Sequence, residues 1–581
     1  MSSPSQNDSI NDFDEGGRFR HPFTDVSGYD YYGSDDDDPD DKDTPRTLVE
    51  IRMCALSAAI REKVDWHVKY RDEKIRTKWA EEIREQQKDV HPSLQLTENM
   101  INYVLTELDA HAAMRDPNTG IEPGPCERTW RSDQLIPASL RTELLSAVAP
   151  LESVPDSEKD WHPGSDGKVL DLVHPSLYPV IYGHTTSTSA ELLEPRIDND
   201  MDSVFTSGRF QWLPSDFHVA DDGTVKLTAP YINNIHPEDH AALEKVIPTV
   251  LERAVPMFEW VLSDLAREKQ LPTRMDLKGR KFPGCIWDPT EPSAEESEEE
   301  EALEAEIRRL EDENPRDNGH PWVDYWTIIR HQWLDKQAKT WPDSKPAYDH
   351  GLDAVKKTIN LRGQTLQIIV KLANIVLTPE NPEYGGGKWH VEGMNNEAIV
   401  STFIYYYDCE NLTESTLSFR NAVNAPRYHD QEDRYCMTHL YGLDRDDNCV
   451  QDVGKVITKQ DRCIVFPNLY QHLVSPFRLA DPSKPGHRKI LVFFLVDPHI
   501  KIPSASMVAP QQASWMQRAL PGTVLWDRLP VELQDIVLDY ADFMTDQQAK
   551  AYREELMKER TAFVETVDQN RFGHEFNMCE H

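Results

Sequence analysis

The chain lacks most of what would tie it to a membrane, a secretory route or a nucleic acid. No apolar stretch approaches the ~20 residues that a membrane helix needs; the longest run is ILVFFLV, 490–496. The opening residues, MSSPSQNDSIND, hold neither a basic nor an apolar targeting segment, so no secretory signal is expected. The closing MCEH is not a prenylation box. Eight cysteines (Cys54, Cys126, Cys285, Cys409, Cys436, Cys449, Cys463 and Cys579) contain no CxxC pair and no zinc-finger spacing. Reduced thiols in a cytoplasmic or nuclear protein are the expectation. Positive charge is scarce: 62 Lys and Arg stand against 101 Asp and Glu, a net charge of −39. Phosphate contacts need clustered cations, so general nucleic-acid binding is not expected.

What is present is a large chain of 581 residues with 14 Trp, 20 Tyr and 18 Phe, enough for a substantial core. The acids are unevenly spread. SDDDDPDDKD (34–43) and EPSAEESEEEEALEAEIRRLEDENPRD (291–317) repel themselves into solvated chain, the second with helix-favouring composition. These shifts divide the sequence. Residues 1–44 read as a disordered acidic tail, and 45–290 as a mostly helical region with an irregular middle that includes some strand. Residues 291–317 read as an acidic disordered insertion and 318–362 as a helical lead-in. From 363 to 510 the period changes to that of strands: LQIIVKLANIVLTP, IVSTFIYYYD, STLSFRNAV, KVITKQDRCIVFP and RKILVFFLVDP are separated by turn signals. That run of strands predicts a jelly-roll core within an α+β fold. Residues 511–581 return to helix, with Thr545-Asp546-Gln547-Gln548 as a capping box. The segment 236–269 also reads as helix, opened by Pro237.

The stretch KWHVEGMNNEAIVSTFIYYYD, 388–408, carries the chemistry. His390 and Glu392 stand two apart, which on a strand puts both side chains on one face about 7 Å apart. Such a pair alone is weak evidence; His236-Pro237-Glu238 has the same spacing and reads as a helix start. What distinguishes the first pair is its sequel. FPNLYQHLVSPF brings His472, 82 residues after His390, and the next strand opens with PGHRKILVFFLVDP. Two histidines and one carboxylate are the facial triad of non-haem Fe(II) enzymes, and three open positions would admit a chelating co-substrate and dioxygen. A cation near the site would pair with the far carboxylate of a dicarboxylic acid. Arg478, His487, Arg488 and Lys489 are the candidates. Arg488 and Lys489 point to opposite faces of the strand, and both faces are apolar, so periodicity does not choose between them.

The segment 363–505 resembles the 2-oxoglutarate/Fe(II)-dependent dioxygenase superfamily in its order of HxD/E, distal His and G-x-R/K. More closely, the chain resembles the fungal domain-of-unknown-function 4246 family over roughly 45–581. SGRFQWLPSDF, PYINNIHPEDH, WHVEGMNNEAIVSTFIYYYD, FPNLYQHLVSPF, DPSKPGHRKILVFFLVDPH, YREELMKERTAF and EFNMCEH carry that resemblance. It implies an oxygenase fold with Fe(II) held by His390, Glu392 and His472, and 2-oxoglutarate held by Arg488 of Gly486-His487-Arg488. The chain departs from the superfamily in using Glu for the commoner Asp, in a long interval of 16 residues from His472 to Arg488, and in placing Ile490 where a hydroxyl residue often assists the arginine. Tyr405 and Tyr407, on one face of IVSTFIYYYD, are candidates for that hydroxyl, as is Tyr406 on the other. The glycine run YGGGK, 384–388, is either a turn or a rim that moves over substrate.

The expectation is therefore an Fe(II)- and 2-oxoglutarate-dependent oxygenase of unknown substrate. Its rivals are a cupin-like metalloenzyme without 2-oxoglutarate and a non-catalytic interaction protein that keeps the fold. Neither the substrate nor the oligomeric state is encoded legibly.

Overall fold

The computed structural model describes residues 18–23, 43–196, 204–267, 269, 271–276, 294–313, 334–335, 340–426, 434–540, 543–576 and 578. Its architecture mixes helices with antiparallel sheet. The first strands are β1 (Glu122–Pro123), β2 (Trp130–Ser132), β3 (Val169–Val173), β4 (Val180–Ile181), β5 (Phe210–Gln211), β6 (Ser215–Val219) and β7 (Val225–Leu227). Next come β8 (Thr365–Leu377), β9 (Glu383–Tyr384), β10 (Ile399–Glu410), β11 (Thr416–Ala422) and β12 (Val450–Ile457). The last are β13 (Cys463–Pro467), β14 (Gln471–Val474), β15 (Phe477–Arg478) and β16 (Gly486–Val496).

A nine-stranded sheet runs in the order β1-β2-β13-β10-β16-β8-β6-β7, with β3 also paired to β8. A smaller sheet runs β12-β11-β14 and faces it; Phe419 of β11 meets Phe466 of β13 with ring centroids 5.0 Å apart. After β8 the chain visits the two sheets in turn. A bridge at His390 joins the small sheet, β10 the large, β11 and β12 the small, β13 the large, β14 the small and β16 the large. KVITKQDRCIVFP, which reads as one strand, is two, one in each sheet. The sheets stay separate rather than closing on each other.

The outer face of the large sheet is covered by the helices Ala138–Glu152 and Ala241–Leu265. Phe258 of the second packs on Phe403 of β10 at 6.2 Å, and Trp260 stacks on Trp130 of β2 at 4.1 Å. The N-terminal half is thus no separate lobe. Its short strands β1 and β2 extend one edge of the large sheet, and β6 and β7 the other. No helix among the described residues is long and apolar enough to cross a membrane.

Several expectations are corrected. Residues 18–23, inside the predicted disordered tail, are packed: the Phe19 N–H donates to Asp497 Oδ2 (2.8 Å), and Phe23 meets Phe563 at 5.1 Å. The rest of 1–42 lies outside the described residues. In the acidic insertion, Ala294–Glu313 is a helix and not disordered chain. Ala, Leu and Glu favour that state, and Arg308–Glu304 (2.8 Å) and Arg309–Glu306 (2.6 Å) pair along it. In the predicted helical lead-in, 318–333 and 336–339 lie outside the described residues. From 340 to 362 the chain is extended and turning except for a short 3₁₀ segment, Gly351–Ala354; Pro342 and Pro346 remove helix donors there. The helix expected from Pro237 begins at Ala241. Cys436 is disulfide-bonded, whereas Cys54, Cys126, Cys409, Cys449 and Cys463 are free thiols. The C-terminal helices form, and Thr545 caps Asp546–Asn570 in reciprocal bonds with Gln548.

Arg462 locks the N-terminal region to the core. It is 1% exposed and holds Asp133 through Nε (2.7 Å) and Nη2 (2.9 Å). Its Nη1 and Nη2 hold both oxygens of Glu62 (2.8 and 3.0 Å). Arg462→Met would leave Asp133 to Lys459 (2.8 Å) and Glu62 to Arg131 and Lys459, with their shared buried cation gone. Fully buried pairs broken this way lose ~3–5 kcal/mol; Asp133 is 39% exposed, which cuts the expected loss to about 2–3 kcal/mol. Urea unfolding followed by tryptophan fluorescence measures it, and an unchanged midpoint would refute the lock.

Candidate metal centre

His390 and His472 stand directly opposite each other in an antiparallel bridge. The His390 N–H donates to the His472 carbonyl (3.3 Å), and the His472 N–H returns the bond (3.0 Å). Residues paired in this way project to the same side, and the two rings lie 4.3 Å apart. Glu392, two residues on from His390, reaches back between them. Its Oε1 is 3.3 Å from His472 Nε2 and 3.7 Å from His390 Nε2. Donors about 2.1 Å from one ion and at right angles to each other sit about 3 Å apart, so this spacing suits a single metal.

The backbone sets the tautomer of His390. His390 Nδ1–H donates to the Lys388 carbonyl (2.8 Å), which leaves the Nε2 lone pair toward Glu392. His472 Nδ1 has no partner; its ring is fixed by packing on Phe466, centroids 4.9 Å apart. The side chains are 39%, 16% and 6% exposed for His390, Glu392 and His472, so the centre opens on the His390 side. Burial raises the Glu392 pKa, but the bonds to both imidazoles override it and hold the carboxyl well below its ordinary range. Burial lowers His390, but Glu392 outweighs it and the ring is raised. Burial and the neighbouring His390 together lower His472.

The loop beyond Glu392 is clamped from two sides. Asn468, in the Pro-Asn turn before His472, accepts from the Glu392 N–H (2.8 Å) and donates to the carbonyls of Glu392 (2.8 Å) and Ile399 (3.0 Å). Gly393 turns with φ +69°, where a Cβ would lie 2.7 Å from Ile399 Cδ1. Glu397, fully buried, accepts from the N–H groups of Trp212 (2.8 Å) and Met394 (2.6 Å). It also pairs with Arg560 (2.6 Å), which lies 3.7 Å from the Trp212 ring centre. Neither Asn468 nor Arg560 stood out in the sequence; a lone Asn after Pro reads as an ordinary turn.

Arg488 points between the sheets, 3% exposed. Its guanidinium lies 4.1 Å from the Phe477 ring centre and 5.8 Å from that of Tyr406, and its Nη2 donates to Ser415 Oγ. Nε and Nη1 have no hydrogen-bond partner. Gly486 permits the close packing here, since a Cβ would lie 2.7 Å from the Asn411 carbonyl. Lys489 points the other way, to Glu152 (3.0 Å) and Asp408 (3.6 Å). His487 is also spent on Asp408 (2.8 Å), and Arg478 is exposed.

The expectation for Tyr405 and Tyr407 is corrected. They share the helix-covered face with Lys489: Tyr407 Oη donates to Asn374 Oδ1 (3.4 Å), and Asn374 in turn donates to Glu152 (2.6 Å). Tyr405 is fully buried, with its ring 6.2 Å from that of Tyr407. The hydroxyls on the Arg488 side belong to Ser415 and Tyr406. The YGGGK run is tied down, with the Gly387 N–H donating to the Val474 carbonyl (2.9 Å).

Two further His/carboxylate clusters occur among the described residues, His91–Asp335–His439 and His162–Asp171–His174. In the second, His174 Nδ1 accepts from the Ser176 N–H (3.2 Å), and Asp171 Oδ2 is held by His162 (2.8 Å) and lies 3.8 Å from Arg553. In the first, Asp335 takes the Tyr435 hydroxyl and His91 Nε2 (3.4 Å). The carboxylate of the second already has Arg553 beside it as a counter-ion.

Sequence comparison assigns the chain to a family. The pattern described as "Protein of unknown function (DUF4246)" matches residues 98–519, and that described as "Domain of unknown function DUF4246, N-terminal" matches residues 3–82. The chain belongs to the DUF4246 family. No curated protein matches this DUF4246 chain. Solved structures with some likeness include the Fe(II)/(alpha)ketoglutarate-dependent dioxygenase TqaL, at 15% identity over 27% of this chain and 52% of TqaL, with a TM-score of 0.16. IDO from Bacillus thuringiensis matches at 12% identity over 31% of this chain and 66% of that one, TM-score 0.15. AviO1 from Streptomyces viridochromogenes Tue57 matches at 12% over 38% and 93%, TM-score 0.14. The DUF4246 chain thus spans about half of TqaL and just under two thirds of IDO. Overlaps this slight do not define its fold, which rests on the strand order.

Asn468 generates a direct test. Residues that orient metal ligands typically change affinity ~10–100-fold when removed. Asn468→Ala is expected to weaken Fe(II) binding by about that factor, read by competition with a chromogenic chelator under anaerobic conditions. Parent-like affinity in a folded variant would remove Asn468 from the site.

Proposed function

We propose that this chain is an Fe(II)- and 2-oxoglutarate-dependent oxygenase built on a double-stranded β-helix. The observation that carries the reading is Arg488. A buried guanidinium without a carboxylate is costly, and this one lies between the same two sheets as a two-histidine, one-carboxylate cluster. The alternation of the chain between facing sheets supports the β-helix core.

In this reading His390 Nε2, His472 Nε2 and Glu392 would hold the iron, and Arg488 with Ser415 and Tyr406 would hold the distal carboxylate of 2-oxoglutarate. When bound, the pair supplies oxidative decarboxylation to succinate and the oxidising power to break a C–H bond. The protein's part is geometric. The Lys388 carbonyl fixes the His390 tautomer, and Asn468 and the Arg560–Glu397 pair hold the Glu392 loop. Phe419, Phe466 and Phe477 keep the interior between the sheets dry, which strengthens every charge contact within it.

An anaerobic titration tests the assignment. Fe(II) and 2-oxoglutarate together should give a weak visible charge-transfer band. His390→Ala and His472→Ala should lose Fe(II) binding and keep the fold. Arg488→Ala should keep Fe(II) but need ~30-fold or more 2-oxoglutarate, the usual loss for a buried charge-paired contact. Absence of the band from the parent protein, or the Arg488 phenotype appearing in Lys489→Ala instead, would sink the reading.

A further inference from the structure

Three metal-ligating side chains that the oxygenase reading does not use converge from distant stretches of the chain. His91 stands just before the 3₁₀ turn Pro92–Leu94, His439 lies in the last turn of the helix Arg434–Tyr441, and Asp335 belongs to neither. The fold brings one donor atom of each within 4.8 Å of the others. The two imidazole rings are 4.6 Å apart, close to the 4.3 Å between His390 and His472. His91 Nε2 is 3.4 Å from Asp335 Oδ1. Two donors about 2.1 Å from one ion and at a tetrahedral angle sit about 3.4 Å apart.

Each member also has an outer partner of the kind that orients a ligand. His439 Nδ1 donates to the Tyr435 carbonyl (2.8 Å), which puts the lone pair on Nε2. His91 Nδ1 lies 2.8 Å from Ser93 Oγ and 3.3 Å from the Ser93 N–H. A hydroxyl can donate or accept, so this ring can carry its proton on Nδ1 and present its Nε2 lone pair to Asp335. Asp335 itself accepts from the Tyr435 hydroxyl. Aromatic rings wall the pair of imidazoles. Trp341 lies 5.7 Å from His439 and 6.3 Å from His91, and Tyr435 lies 4.2 Å from His439.

No fixed cation answers the carboxylate. Among the described residues Asp335 has an ion-pair contact with His91 and with no Lys or Arg. Arg434, next to Tyr435 in the helix, is held by Asp444 (2.6 and 2.7 Å). The cluster His162–Asp171–His174 differs on both counts. Arg553 stands 3.8 Å from its carboxylate, and His174 Nδ1 already accepts the Ser176 N–H (3.2 Å).

We propose that His91 Nε2, His439 Nε2 and Asp335 bind one Zn(II) ion, a second metal site separate from the candidate iron centre. Two imidazoles and a carboxylate without thiolate form an N/O set that zinc takes in tetrahedral geometry. The side chains of His91 and Asp335 are 34% and 47% exposed, so water reaches the fourth position. The ion fastens the turn at 92–94 and Asp335 to a helix that lies between β11 and β12 in the chain.

The test uses the full chain, stripped with a chelator and titrated with Zn(II) against a chromogenic competitor. The candidate iron triad offers zinc a similar donor set, so the His390→Ala/His472→Ala protein is the reference. It should bind one equivalent of Zn(II), and its melting temperature should rise when zinc is added. Adding His439→Gln or Asp335→Asn to that protein should abolish both the equivalent and the thermal shift, while the zinc-free melting temperature stays the same. Using two separate substitutions guards against one that fails to fold. A reference protein that binds no zinc overturns the proposal, as does an equivalent that survives both His439→Gln and Asp335→Asn. Because the reference lacks both imidazoles of the candidate iron centre, neither result bears on the oxygenase reading.

Discussion

Two backbone hydrogen bonds between His390 and His472 are the constraint from which the centre follows. Side chains alone would not bring two imidazoles within 4.3 Å, because each ring could rotate away. The reciprocal peptide pair removes that freedom. It joins an otherwise irregular segment to the edge of the small sheet, where His472 is already held by its pairing with Phe419 of β11. Glu392 then needs only the two-residue step of an extended chain to reach both rings. Asn468 completes the geometry from behind, using a turn that the chain must make anyway between β13 and β14.

The large sheet separates two kinds of electrostatics. On its helix-covered face the cations are satisfied: Lys489 has Glu152 and Asp408, and Arg141 has Asp408 at 3.2 Å. On the face toward the small sheet, Arg488 has no carboxylate partner among the described residues. In a chain with a net charge of −39, a buried cation kept from the acids is not explained by a shortage of them. Phe477 and Tyr406 wall it in, which makes an incoming anion more valuable than it would be in water.

Much of this was legible in the sequence, for local reasons. His390 and Glu392 share a strand, Arg488 opens one, and the strand periodicity between 363 and 510 is strong enough to show through. The parts that were not legible depend on pairing at long range. Tyr405 and Tyr407 looked as suitable as Tyr406 because IVSTFIYYYD is apolar on both faces, and only the register with β16 says which face is inside. The strands β1, β2, β6 and β7 are two to five residues long, too short for a period, yet they lengthen both edges of the large sheet. The packed residues 18–23 follow the same logic: Phe19 and Phe23 are isolated aromatics in polar chain, and only their contacts reveal them.

The contact between Arg560 and Glu397 has a temporal side. The ribosome delivers every strand of both sheets before it delivers Arg560, so the newly made core holds a buried carboxylate at Glu397 with no counter-ion. Burial favours its protonated, uncharged form, and the loop that carries Glu392 lacks one of its two clamps. The helix Asp546–Asn570 supplies the missing charge only once it docks. The strands can therefore pair before the loop that carries Glu392 receives its second clamp, because that clamp comes from a helix that follows every strand in the chain.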